Sequence, residues 1–252
     1  MSTYVGVDGC KAGWFAVAIS GPVHWSHGVF GTVGQILERY VDAEKVLIDV
    51  PIGLRDSDQV ERLCDRQARK LLGPPRASSV FPAPSRDALR ASTYEEAVQI
   101  NRSRTGRGIS KQTWAIVPKI REVDELLCGS DSARDRLVEV HPELLFWSLN
   151  DGVAMVHKKK GPHGLFERLS VLDTKFPQSS AVHADVMASC LRSRVARDDA
   201  VDTLAAAVAG FLGQGRLDQV PAQPELDSLG LPMRMVFPTM GRKSPHASVS
   251  KC

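Results

Sequence analysis

The chain has 252 residues, 43% of them hydrophobic and 24% charged, with a formal net charge of +3. A globular chain of this length buries a sizeable core, so it needs no disulfide or metal staple merely to fold. The small positive excess permits an anionic partner and does not demand one. The five cysteines, Cys10, Cys64, Cys128, Cys190 and Cys252, are odd in number and widely scattered. No pair has C-x-x-C spacing, which argues against a zinc site or disulfide framework and predicts reduced thiols in a cytoplasmic protein. The N-terminus lacks the basic-then-apolar pattern of a signal segment. The longest apolar run, "TLAAAVAGFLG" (203–213), has the length of a core helix, so no membrane partner is expected.

In chain order, "TYVGVD" (3–8) and "WFAVAIS" (14–20) read as strands joined by the turn "GCKAG", and "VHWSHGVF" (23–30) follows as a third. "VGQILERYV" (33–41) is a short amphipathic helix, with Ile36, Leu37, Tyr40 and Val41 at helical spacing. "KVLIDVPIGL" (45–54) is a strand of the buried type, stopped by Pro51, with Asp49 near its end. Residues 56–72 set Val60, Leu63, Cys64, Ala68, Leu71 and Leu72 on one helical face. "GPPRASSVFPAPSR" (73–86) reads as an irregular Pro-rich loop. "TYEEAVQINRS" (93–103) and "KQTWAIVPKIREVDELL" (111–127) are helical, the second kinked or interrupted at Pro118.

A strand returns at "RLVEVHP" (136–142), with Glu139 in its interior. The remainder reads helical through residue 212, and "LPMRMVFP" (231–238) is a last strand, placed at a sheet edge. The polar, basic tail 241–252 is predicted to be disordered, leaving residues 1–240 as one domain. Three hairpin-linked strands followed by alternating helix and strand predict an α/β fold with a mixed sheet, part antiparallel and part parallel. That is a ribonuclease H-like layout, with a helical insertion after the fourth strand at about 56–130.

The carboxylates carry the chemistry. Asp8, Asp49 and Glu139 lie in or at the ends of strands, where acidic residues are depleted. Asp198, Asp199 and Asp202 open a helix and, at 100° per residue, share one sector of it. An acid in a helix's first turn also caps the helix, and Asp8 alone fits a turn role, so the case rests on joint occurrence. Such a group repels itself unless a cation intervenes. Hard oxygen ligands suit Mg²⁺ or Mn²⁺, and a pair of such ions can clamp both oxygens exchanged at a phosphodiester.

Arg76, Ser79 and Arg86 flank the Pro-rich loop and are candidates to hold phosphate oxygens, against the alternative of a solvated loop. Lys111, Lys119, Arg121 and the lysine run 158–160 offer charge for nucleic-acid contact, although charge runs are usually solvated faces. His141 follows Glu139 by two residues and is read either as a general acid or outer-shell partner, or as a structural histidine. "GVDGCK" lacks the spacing and the Lys-Ser/Thr ending of a phosphate-cradling loop.

"GVDGCKAGW", "IDVPIGL", "SSVFPAPSR", "VPKIREVD", "EVHPELLF" and "DDAVDTLAAA" together resemble domain-of-unknown-function family 429, a predicted nuclease family of the ribonuclease H-like superfamily. The resemblance runs over roughly residues 4–238. It implies a carboxylate on the first strand, Asp8, one on the fourth, Asp49, and a D-x-x-D at the last helix, Asp199 and Asp202. These four would hold one or two Mg²⁺ or Mn²⁺ ions for phosphodiester hydrolysis. Glu139, a fifth candidate catalytic carboxylate, has no counterpart in that scheme. Two rivals stand beside this reading: an ATP-dependent phosphotransferase of the actin and sugar-kinase type, and a non-catalytic nucleic-acid-binding protein of the same fold.

Overall fold

The computed structural model describes residues 2–56 and 61–239. Strands β1 (Thr3–Cys10), β2 (Gly13–Gly21) and β3 (His24–Phe30) form an antiparallel meander. Its first turn needs a glycine: Gly13 has φ +124, and a Cβ there would lie 2.3 Å from the Phe30 carbonyl oxygen. Helix α1 (Val33–Arg39) is capped by Thr32 and Gln35 in a reciprocal box and leads into β4 (Ala43–Ile48), parallel to β1. The insertion follows as α2 (Leu63–Arg76), α3 (Tyr94–Thr105), α4 (Lys111–Gly129) and α5 (Asp131–Arg136). Strand β5 (Leu137–Glu139) then pairs parallel with β4.

Helices α6 (Pro142–Leu149), α7 (Pro162–Lys175), α8 (Ser179–Ser189) and α9 (Arg197–Gly213) come next, and β6 (Leu217–Leu226) and β7 (Pro232–Pro238) close the described chain. The five-stranded mixed sheet has the order β3-β2-β1-β4-β5. This α/β arrangement, three antiparallel strands and then parallel ones flanked by helices, agrees with the ribonuclease H-like layout expected from the sequence.

Strand alternation divides the core in two. Phe15, Val17, Ile19, Leu47 and Val138 share one cluster with Val201, Leu204, Ala205 and Val208 of α9. Val5, Val7, Ala16, Val46 and Ile48 face the other way, with Ile36 of α1 and Val117, Ile120 and Val123 of α4. The approach of α9 to the sheet is close. A Cβ on Gly6 would lie 2.1 Å from the Thr203 carbonyl oxygen and 2.5 Å from the Ala207 nitrogen. One on Gly210 would lie 2.9 Å from both Tyr4 Cβ and Leu47 Cδ1. Tyr4 thus meets the later part of α9 and Gly6 its middle, so the helix runs antiparallel to β1. Its first turn points toward the strand end that carries Asp8.

The structure corrects several boundaries. The final strand β7 is not an edge of the main sheet; it pairs with β6, in a stretch to which the sequence assigns no element, in a separate two-stranded sheet. Polar positions and two prolines, Pro221 and Pro224, mask the strand character of β6. The segment 73–79 is not all loop. Gly73 (φ 63) breaks α2, and one further helical turn starts at Pro74–Pro75, where prolines are tolerated, before a 3-10 turn at Ala77–Ser79. Helix α4 runs unbroken through Pro118, held by buried Val117, Ile120, Val123 and Leu127. Glu139 is the last residue of a three-residue strand, not an interior one. Val41 is exposed beyond the end of α1. Val60 of the expected helix and the tail 241–252 lie outside the described residues.

Candidate carboxylate site at the strand ends

Parallel pairing of β1 with β4 sets Val7 beside Ile48, and the Asp49 N–H continues the ladder by donating to the Val7 carbonyl at 3.0 Å. Asp8 and Asp49 are therefore neighbours at the ends of adjacent strands. They follow Val7 and Ile48 by one residue, which turns both toward the α9 side. Gly6 and Gly210 let α9 lie against the strands, and its first turns bring Asp199 and Asp202 to the same end. Asp202 is buried, at 2% exposure, whereas Asp8, Asp49 and Asp199 keep partial access to solvent.

The charges of this group act on one another. Burial, and then Asp49, Asp202 and Asp199, push the Asp8 carboxyl well above its ordinary range, with Lys159 pulling the other way. Burial and Asp202 push Asp49 up to about 7, again against Lys159. Asp199 is raised by burial and by Asp198, while one of its oxygens caps its own helix by accepting from the Ala196 N–H at 3.3 Å. The four carboxylates of the expected set are thus brought together.

Lys159 completes the cluster. Its ammonium donates to Asp202 Oδ2 at 2.7 Å and lies 4.0 Å from Asp198 Oδ2. Burial pulls its pKa down, but Asp202, Asp49 and Asp8 more than offset that and hold it above the ordinary lysine value. The backbone that presents it is pinned to α7. Glu167 accepts from the Val156 and His157 N–H groups at 2.7 and 2.9 Å, and Arg168 donates to the His157 carbonyl at 3.1 Å. In the sequence this lysine stands in a charge run; the local hint is "GPHG" after it, since Gly164 packs directly on the Lys158 carbonyl.

Glu139 does not join the cluster. It pairs in register with Ile48, one residue out of phase with Asp49, and so points to the opposite face. Both its oxygens receive Arg62 at 2.8 Å, and the Ile52 N–H donates to it at 2.7 Å. Arg62 also binds Asp65 at 2.6 Å, and Asp65 in turn accepts from the Ala83 N–H. This wholly buried Glu139–Arg62–Asp65 group ties β5 to the start of α2.

The candidate substrate-binding residues divide. His141 sits just past β5, and its Nε2 is 3.3 Å from the Ser79 carbonyl oxygen. That contact makes Nε2 the protonated nitrogen and leaves Nδ1 a buried acceptor without a hydrogen-bond partner. Burial lowers its pKa, and it feels the charges of Glu143, Asp202 and Lys159. Arg76 donates through Nε to the Met155 carbonyl at 2.8 Å and lies 3.6 Å from Glu143, with Nη2 buried and unpartnered. Ser79 donates to the Arg76 carbonyl. Arg86 lies elsewhere, clamped by Asp124 and Asp227 and by Asp56. Lys119 is spent on the hairpin turn, where it donates to the Gly13 carbonyl and lies 4.4 Å over the Trp14 ring.

Among the described residues, no three His, Cys, Asp or Glu side chains stand as placed in a group that could hold a metal ion. The donor set itself suits a hard divalent cation. It is all carboxylate oxygen, it is self-repelling, and three of its members are partly open to solvent. No helix among the described residues is long and apolar enough to cross a membrane. No curated protein and no solved structure matches the chain. The chain does match, over residues 6–226 and so through every carboxylate of this site, the family described as protein of unknown function DUF429, and it belongs to that family.

Proposed function

We propose that this protein is a divalent-metal-dependent nuclease, a phosphodiester hydrolase acting on nucleic acid in the cytoplasm. The observation that carries the reading is the convergence of Asp8, Asp49, Asp199 and Asp202 from two strand ends and one helix, with each of the first three raised in pKa. Carboxylates gathered this way destabilise a metal-free site, and a bound cation offsets the repulsion. Mg²⁺ or Mn²⁺ held in this carboxylate cluster would supply a water of lowered pKa and stabilise the leaving oxygen. The chain's own residues would do the rest. Asp8 and Asp49, on the rigid sheet, fix the position of the donors, and α9 sets the distance of the others. Lys159 counters the acidic charge near an anionic substrate. His141 Nδ1, an acceptor by virtue of the Ser79 contact, is suited to receive a proton or to orient a water.

The test joins activity to binding. Purified protein is assayed on single-stranded, double-stranded and branched nucleic acids with millimolar Mg²⁺ or Mn²⁺, beside thermal unfolding with and without the ion. Cleavage that needs the ion, and a metal-dependent rise in melting temperature lost in Asp8→Asn, supports the reading. No cleavage of any substrate and no metal-dependent shift in the wild type would sink it.

A further inference from the structure

We infer that Lys159 fills the place of a second divalent cation, so that the site takes a single ion. The inference rests on the metal-binding reading of the carboxylates and settles how many ions they hold. The Lys159 ammonium is 2.7 Å from Asp202 and 4.0 Å from Asp198, so the Asp198 and Asp202 side of the cluster already carries its counter-charge. The Asp202 side chain is 1% exposed, sealed beneath that lysine. Mg²⁺ and Mn²⁺ need near-octahedral surroundings and retain several waters, which calls for open approach. Asp8, Asp49 and Asp199 are partly exposed and Asp202 is not.

The lysine is also preorganised. A Cβ on Gly164 would lie 2.0 Å from the Lys158 carbonyl oxygen, so α7 presses on the very peptide that precedes Lys159. Glu167 and Arg168 bind the two residues before that peptide. An ammonium delivered by a fixed backbone to a buried carboxylate differs from a lysine on a solvated face, whose position is set by nothing. It supplies one fixed positive charge where a second ion would supply two, and it leaves Asp8, Asp49 and Asp199 for the ion that does bind.

The experiment counts bound Mn²⁺ on the full chain, by titration calorimetry and by electron paramagnetic resonance of free ion. The expected result is one Mn²⁺ per chain for the wild type and for Lys159→Arg, which keeps the charge, and two per chain for Lys159→Met. Lys159→Gln retains a donor toward Asp202 without the charge; it is the second variant in case Lys159→Met fails to fold, and it too should bind two. Two ions in the wild type, or one in both neutral variants, overturns the inference and leaves the metal reading standing. No Mn²⁺ bound by the wild type removes the metal reading itself.

Discussion

Replacing Asp49 by Asn in the metal-free protein is expected to weaken the fall of stability with rising pH. The Asp49 carboxyl is pushed from an ordinary 3.8 up to about 7 by burial and by Asp202, with Lys159 opposing. Between those two values the native state holds a proton that the unfolded chain has lost. Stability is therefore fully present below about pH 4 and falls as pH rises to about 7. A gap of about three pH units, at roughly 1.4 kcal/mol each, puts the cost at neutral pH at up to roughly 4 kcal/mol. Asn keeps the shape and never ionises. At pH 8 in chelator, Asp49→Asn should be more stable than the wild type by about 2–4 kcal/mol, on the order of 10 °C in melting temperature. The two proteins should converge near pH 4. The assay is thermal and urea unfolding from pH 4 to 8, with and without Mg²⁺, which should raise the wild type selectively at high pH. A wild-type profile that is flat over this range, or an Asp49→Asn variant less stable at pH 8, would refute the electrostatic account of the site.

Asp8→Asn should behave in the same sense and lose the metal-dependent gain in melting temperature, read by unfolding with and without Mg²⁺. Gly6→Ala places a Cβ 2.1 Å from the Thr203 carbonyl oxygen, where backbone must shift, and should cost about 1–3 kcal/mol while weakening metal binding through displacement of α9; calorimetry beside urea unfolding checks both. Arg62→Met leaves Glu139 and Asp65 buried without their cation and should cost about 3–5 kcal/mol. The metal response of whatever remains folded should persist, because that group lies on the other face of the sheet.

The placement of the chemistry follows from particular residues. Asp8 and Asp49 were legible because a carboxylate ending an apolar strand is rare unless something at the strand end needs it. Asp199 and Asp202 were legible because D-x-x-D places both on one sector of an evidently buried helix. Glu139 satisfied the first test and still proved to be a buried partner of Arg62, since strand register decides which face a residue takes. A three-residue strand offers too little alternation to show that register in advance. Arg86 and Lys119 looked equally available, and only the fold reveals that Asp124 and Asp227 hold the one and the Gly13 carbonyl the other.

The sequence by itself determined the mixed sheet, the insertion after β4 and four of the site's carboxylates. Those depend on hydrophobic period, turn residues and spacing within a few residues of each other. The tertiary structure alone decided that β6 pairs with β7 apart from the main sheet, that Glu139 belongs to an internal ion group, and that Lys159 reaches Asp202. The Glu139–Arg62 and Lys159–Asp202 contacts join residues far apart in the chain, selected by strand register and by the close packing of Gly6 and Gly164 against neighbouring backbone. Local pattern records which faces are apolar, and it carries no information about which distant charge will be buried beside which.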